Sequence, residues 1–442
     1  MGHQRFVLSS RIPVLFRLCG ALVLAGCNMP DAPILTEPRI GIHYDTSYEK
    51  MASSGRTLPL LEGVWEPYYE TLAEPVCVQS WKDSHSTWEI LFATNRGRAR
   101  SQATGHYGND VLTRPDFGVS SVQLPHRKRG KEPARNPGKL SFASLIRKDA
   151  KREEHLAVVE RAESISSSEF DRKLHEQIAR SRQKDVLLFV HGFNVDFDSS
   201  LIRTAQLGLD IPFNGALVAY SWPTQGGVLN YEGDESINEA SVAPFTEFLS
   251  RMIERLPEDA RLKIIVHSMG NRIVLKGVSQ LPAAHRSSGR RKPIQTLCLC
   301  APDVGVSDYR DLIPAVNQCC DRVVLYANGG DGALKISRSL HLEQRSGDAE
   351  VPAAISGVDL IDCSAVDFSF LGHSYFSGNV SVLADLFCVL KENKSPSQCP
   401  HLKQKQTSSG DEYWVFDQHP HRVLWSWHFE DPAEDPFKDQ AE

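Results

Sequence analysis

Between Asp185 and Ala365 the chain alternates short apolar runs with longer stretches of helical periodicity. VLLFV (Val186–Val190) has no polar position to turn towards solvent, as expected of a strand covered on both faces. GALVAYSW (Gly215–Trp222), RLKIIV (Arg261–Val266), TLCLCAPDV (Thr296–Val304), RVVLYA (Arg322–Ala327) and VDLIDCSA (Val358–Ala365) repeat the pattern, the last read as the final strand. Apolar spacing predicts helices over residues 168–183, Ser199–Leu209, Glu235–Arg255 and Asn271–Gln280. A strand-then-helix rhythm implies an α/β fold: a mostly parallel sheet, helices on both faces, right-handed crossovers.

The rhythm fades at both ends. TWEILFATNR (Thr87–Arg96) and FGVSSVQLP (Phe117–Pro125) read as strands, the second with half-buried alternation. Residues 126–139 form a basic loop, and residues 27–85 read as a tether and an irregular N-terminal piece. The α/β domain spans residues 86–395. Residues 396–442 are a polar tail on or near the core, in which Trp414, Trp425 and Trp427 are expected to cover the core or lie at its edge.

Residues 1–26 carry Arg5, Arg11 and Arg17, no acid, and an apolar stretch from Leu18 to Gly26. That stretch is short of the roughly 20 residues a spanning helix needs, so it reads as an export signal. It ends in LAGC (Leu24–Cys27), which looks like the lipobox of bacterial lipoproteins, in which Cys27 is lipidated and becomes the first residue. Asn28, rather than Asp, at the next position leans towards the outer membrane. The expected location is the cell envelope, facing the periplasm. Losing three arginines takes the formal charge from −6 to −9, and no basic balance points to nucleic acid. Of ten cysteines, eight lie beyond the targeting segment; no C-x-x-C pair suggests zinc, and Cys298 and Cys300 read as buried thiols on one strand face.

The chemistry centres on KIIVHSMGNR (Lys263–Arg272). A buried strand enters it and a helix leaves it, with Ser268 at the turn, the setting of a nucleophile elbow. The helix start favours negative charge, and the Met269 amide is placed to bind an oxyanion. Gly270 fits the G-x-S-x-G pattern; Val266 departs from it. Upstream, the strand ending in HGFN (His191–Asn194) offers a second amide, that of Phe193. A serine needs a base, and His373 in GHSYF follows the last predicted strand. His191 suits loop support better, His267 reads as packing, and His419, His421 and His428 as surface. The acid is Asp331 in the loop after RVVLYA, with Asp303 one strand earlier as the alternative.

FATNR (Phe92–Arg96), HGFN, SWP (Ser221–Pro223), HSMGN, APD (Ala301–Asp303) and GHSYF together resemble a bacterial family of α/β-hydrolase-fold proteins of unknown function, over about Thr87–Leu390. The resemblance implies the α/β-hydrolase fold and a serine hydrolase, and carries Ser268, Asp331 and His373 over as nucleophile, acid and base; it names no substrate. The family's acid loop often reads Ser/Asn-Asp-x-Ala-Leu, whereas here it runs Gly329–Leu334, richer in glycine. The expectation is a lipid-anchored serine hydrolase acting on a small-molecule or lipid ester through an acyl-enzyme, with no cofactor and no metal. The rivals are a non-catalytic envelope binding protein and an acyltransferase.

Overall fold

The computed structural model describes residues 76–81, 85–99, 106–125, 157–211, 213–225, 231–285, 291–349, 355–365, 380–399, 401–407 and 410–416. The N-terminal half comprises β1 (Val78–Trp81), β2 (His85–Arg98), β3 (Tyr107–Pro125), β4 (Val158–Ile165), α1 (Ser167–Arg180), β5 (Asp185–Val190), α2 (Phe197–Asp210), β6 (Ala216–Ser221), α3 (Tyr231–Ala240) and α4 (Val242–Arg255). Then come β7 (Arg261–His267), α5 (Gly270–Ser279), β8 (Ile294–Cys300), α6 (Val306–Cys319), β9 (Cys320–Ala327), α7 (Gly332–His341), β10 (Asp359–Asp362), α8 (Val380–Leu390), β11 (Leu402–Gln406) and β12 (Glu412–Phe416).

The strands form one sheet in the order β11-β12-β10-β9-β8-β7-β5-β6-β2-β3-β4, with β1 on β2. From β2 through β12 neighbouring strands are parallel; β1, β3, β4 and β11 join antiparallel. The apolar runs form the parallel centre because both faces are covered. On β5, Val186, Leu188 and Val190 enter a cluster with Phe170 and Leu174 of α1, Phe245 and Phe248 of α4 and Ile273 of α5. Leu187 and Phe189 turn the other way and are equally buried. On that face α2 lies close to β6: a Cβ on Gly208 would stand 2.4 Å from Leu217 Cδ1.

The structure corrects the predicted elements in three places. The helix expected over Glu235–Arg255 is two, α3 and α4, broken at Ser241. Pro244 has no N–H for the Ala240 carbonyl and its ring crowds that group, which disfavours a continuous helix at this point. The strand read as final is not final: β12 pairs in parallel with β10, placing Trp414 opposite Ile361, and Lys-bearing β11 closes the edge. Residues 78–81, placed in the irregular piece, form β1. Cys27, the basic loop at 126–139, Trp425, Trp427 and the three C-terminal histidines lie outside the described residues. Among the described residues no helix is long and apolar enough to cross a membrane.

Candidate active site

The loops leaving β5, β7, β8 and β9 stand side by side at the carboxyl edge of the sheet, because those strands are consecutive in the order β9-β8-β7-β5. This edge is where open α/β sheets place their ligands. It collects HGFN, Ser268, Asp303 and Asp331.

Ser268 lies between the end of β7 and the start of α5 with φ +52°, a left-handed conformation a serine adopts only when its surroundings impose it. Its N–H donates to the Cys300 carbonyl at 3.0 Å. Its own carbonyl accepts from the Asn271 N–H at 3.0 Å, the Asp303 N–H at 3.3 Å and the Asn271 amide at 2.8 Å. Those bonds fix the turn. Gly270 is required by it: a Cβ there would sit 2.4 Å from the His191 carbonyl oxygen and 3.3 Å from Val266 Cγ2. The departure at Val266 is therefore absorbed, since Gly270 makes room opposite it.

The HGFN loop packs directly on the serine. A Cβ on Gly192 would come within 2.7 Å of Ser268 Cβ. Asn194, two residues on, takes φ +55° and turns the chain away. Among the described residues, neither the Phe193 nor the Met269 N–H has an acceptor, as an oxyanion site requires. His191 supports this loop. Its Nε2 accepts from the Trp222 N–H at 3.1 Å, so Nδ1 carries the proton and donates to the Gly192 carbonyl at 2.8 Å. Burial first, then the Arg96 charge, push its pKa down to about 3. A neutral ring with both nitrogens occupied is a brace and not a base.

Arg96 of the FATNR run is fully buried, and its role was not legible in the sequence. Its guanidinium donates to Ser221 Oγ at 2.9 Å, to the Val195 carbonyl at 2.7 Å and to Asn109 Oδ1 at 3.1 Å. Ser221 Oγ in turn meets His191 Nε2 at 3.2 Å. Thr94 donates to the Ser221 carbonyl at 2.5 Å, and Asn95 binds Ser241 and Tyr220. FATNR thus ties β2 to the end of β6 and clamps the far side of the HGFN loop. Burial lowers the Arg96 pKa to about 10, which leaves it charged at neutral pH.

The two candidate acids differ sharply. Asp303 is ringed: Tyr231 and Ser337 donate hydroxyls to its two oxygens, Arg345 lies 3.2 Å from Oδ1 and Arg272 3.5 Å from Oδ2. Burial pushes its carboxyl up, but Arg272 and Arg345 outweigh that and hold it below its ordinary value. Arg272 also donates to the Asp303 carbonyl at 2.7 Å and pairs with Glu235, binding α3, α5 and the β8 loop into one brace. Asp331 is the N-cap of α7, its Oδ1 accepting from the Ala333 and Leu334 amides at 3.0 Å each. Two amides and a helix start hold that carboxylate in one orientation. The loop before it is tied by Gly330 N–H on Asn328 Oδ1 at 2.7 Å and Gly329 N–H on Ser364 Oγ at 2.8 Å. His373 lies outside the described residues. His267 ends β7, buried beside Gly192. Cys298 and Cys300 are buried thiols on β8, as their spacing predicted.

A strand-turn-helix serine, an upstream His-Gly loop against it and a buried acid after a later strand agree with the family comparison, whose model matches residues 166–389. The chain belongs to the family described as "Alpha/beta hydrolase of unknown function (DUF900)". No curated protein matches it. Among solved structures, a cold-adapted esterase from an Arctic intertidal metagenomic library is 13% identical, covering 70% of this chain and 97% of its own at a TM-score of 0.34. Esterase PE8 is 14% identical over 47% of this chain and 92% of its own, TM-score 0.29. MenH from S. aureus is 15% identical over 48% and 95%, TM-score 0.28. At those scores it is the family match that fixes the α/β-hydrolase class.

Proposed function

We propose that this α/β-hydrolase-family chain is a serine hydrolase of carboxylic esters, working through an acyl-enzyme. The observation that carries the reading is the left-handed Ser268 at the start of α5 with Gly192 of the HGFN loop packed on its side chain. In this reading Ser268 Oγ attacks the ester carbonyl. His373 takes the serine proton and returns it to the leaving alcohol, and Asp331 orients the imidazole. The Phe193 and Met269 amides receive the negative charge that develops on the carbonyl oxygen. Water then repeats the sequence to free the acid. Asp303, whose oxygens already serve Tyr231, Ser337 and two arginines, holds the scaffold.

The test is a panel of short- and long-chain esters against the purified chain, with Ser268→Ala as the control. Release of the acid by wild type alone supports the reading; equal turnover by both proteins contradicts it. Added alcohols that appear as new esters would assign transfer in place of hydrolysis. We further propose that Cys27 is lipidated and anchors the chain to the periplasmic side of the envelope, in the outer membrane where the cell has two, so that lipid esters are within reach. LAGC at Leu24–Cys27 supports this, and several acyl chains on one cysteine suffice for stable attachment. Cys27→Ser would then move the chain from the membrane to the soluble fraction; a soluble wild type would contradict the anchor.

A further inference from the structure

Outside the loops that carry Ser268, Asp303 and Asp331, the segment between α8 and β11 folds back on itself. The Lys394 N–H donates to the Cys388 carbonyl at 3.1 Å, and the Leu402 N–H to the Cys399 carbonyl at 3.0 Å. This gathers Cys388 from α8, Cys399 after a single 3₁₀ turn, and His401 at the foot of β11. The two sulfurs and a ring nitrogen of His401 all lie within 4.8 Å of one another, and all three residues are buried. The Cys399 thiol donates to the Ser395 carbonyl at 3.4 Å.

His401 shows which donor is left over. Its Nε2 lies 2.6 Å from Asp385 Oδ1, one turn before Cys388 on α8. Asp385 Oδ2 accepts the Tyr326 hydroxyl at 2.7 Å, so each oxygen of that carboxylate has a partner. His401 is 0% exposed, yet among the described residues its Nδ1 has no hydrogen-bond partner. An orphaned buried ring nitrogen is costly and calls for an explanation. Metal-ligating histidines almost always donate the other ring N–H to a hydrogen-bond acceptor, often a carboxylate.

We propose that Cys388, Cys399 and His401 bind a thiophilic metal ion of the zinc type, with Asp385 as the positioning residue that holds His401 in the ligating tautomer. Two thiolates and one imidazole are a zinc donor set, and a fourth position is left for water or another donor. Zinc–ligand bonds near 2.0–2.3 Å place tetrahedral donors about 3.7 Å apart, so the trio closes on an ion with shifts of about an ångström. Binding releases the two thiol protons to solvent and gives Nδ1 its partner. The sequence offered no such signal: Cys388 and Cys399 stand eleven positions apart, and the expectation there was of no metal. The inference is independent of the ester reading, because nothing in it involves Ser268.

The experiment loads the full chain with Zn²⁺ or Co²⁺, removes excess ion by gel filtration and measures bound metal. One equivalent per chain is expected, and the cobalt form should show thiolate-to-metal charge-transfer absorption. Cys399→Ser and His401→Asn should lose the equivalent, Asp385→Asn should weaken binding by about 10–100-fold, and Cys319→Ala should keep it. Should those variants fail to fold, alkylation of the wild type decides: zinc protects Cys388 and Cys399, and a chelator exposes them. A wild type that retains no metal, a zinc-indifferent alkylation pattern, or a Cys388–Cys399 disulfide in a non-reduced peptide map would overturn the proposal.

Discussion

Gly192→Ala isolates the contact between the HGFN loop and the serine. The added Cβ would lie 2.7 Å from Ser268 Cβ, 3.0 Å from His267 Nδ1 and 3.1 Å from the His267 carbonyl oxygen. Carbon atoms rest at about 3.5–4.0 Å, so the loop must withdraw from the serine by roughly 1 Å. Overpacking of this kind costs about 1–3 kcal/mol of stability. At a reacting centre a 1 Å misplacement costs on the order of 10²-fold in rate, and loss of one oxyanion donor on the order of 10²–10³-fold. The assay is the second-order rate of modification by a fluorophosphonate, read beside a urea midpoint for the same protein. Gly233→Ala in α3 is the control, because its Cβ would meet nothing nearer than 3.6 Å; it should gain up to about 1 kcal/mol and keep the wild-type rate. A folded Gly192→Ala protein modified as fast as wild type would refute the placement of this loop at the reacting carbonyl.

Arg96→Met removes the donors to Ser221, Val195 and Asn109; about 2–5 kcal/mol should be lost in urea denaturation, and Arg96→Lys should not restore it, lacking the planar fork. Asp303→Asn leaves Arg272 and Arg345 facing a neutral group and should cost about 3–5 kcal/mol at neutral pH. The folded pKa of Asp303 lies below its unfolded value, so the stability it contributes is present above about pH 4 and lost as pH falls further. The gap between wild type and Asp303→Asn should therefore narrow below that pH, while the folded variant still reacts at Ser268; a gap constant with pH would deny the ion pairs their role. Asp331→Asn keeps an N-cap on α7, so its urea midpoint should move little, yet the fluorophosphonate rate should fall by up to about 10⁴-fold. An unchanged rate would place the acid elsewhere.

The centre of the sheet was readable because β5 to β9 are buried on both faces and so have no polar alternation to confuse with helix. The elbow was readable because Ser268 falls at the junction of such a strand with a helix, and Gly270 marks the close approach to His191. The ends were not. VQSW of β1 and LKQKQ of β11 are short outer strands whose partners, not their own pattern, make them strands. The break at Ser241 was signalled only by Pro244, three residues past it. Arg96 was read only as the end of a strand and of the FATNR run; its burial depends on Ser221 and Val195, 125 and 99 residues away. Likewise Cys388, Cys399 and His401 meet only through the return of the chain after α8, a proximity no ligand-spacing rule encodes.

The central claim is that Ser268 is a nucleophile. Peptide mass mapping after treatment with a fluorophosphonate probe tests it directly. One probe adduct on the peptide bearing Ser268, absent in a folded Ser268→Ala protein, is the predicted result. A folded wild type that stays unmodified, or an adduct that persists when Ser268 is replaced, would contradict it.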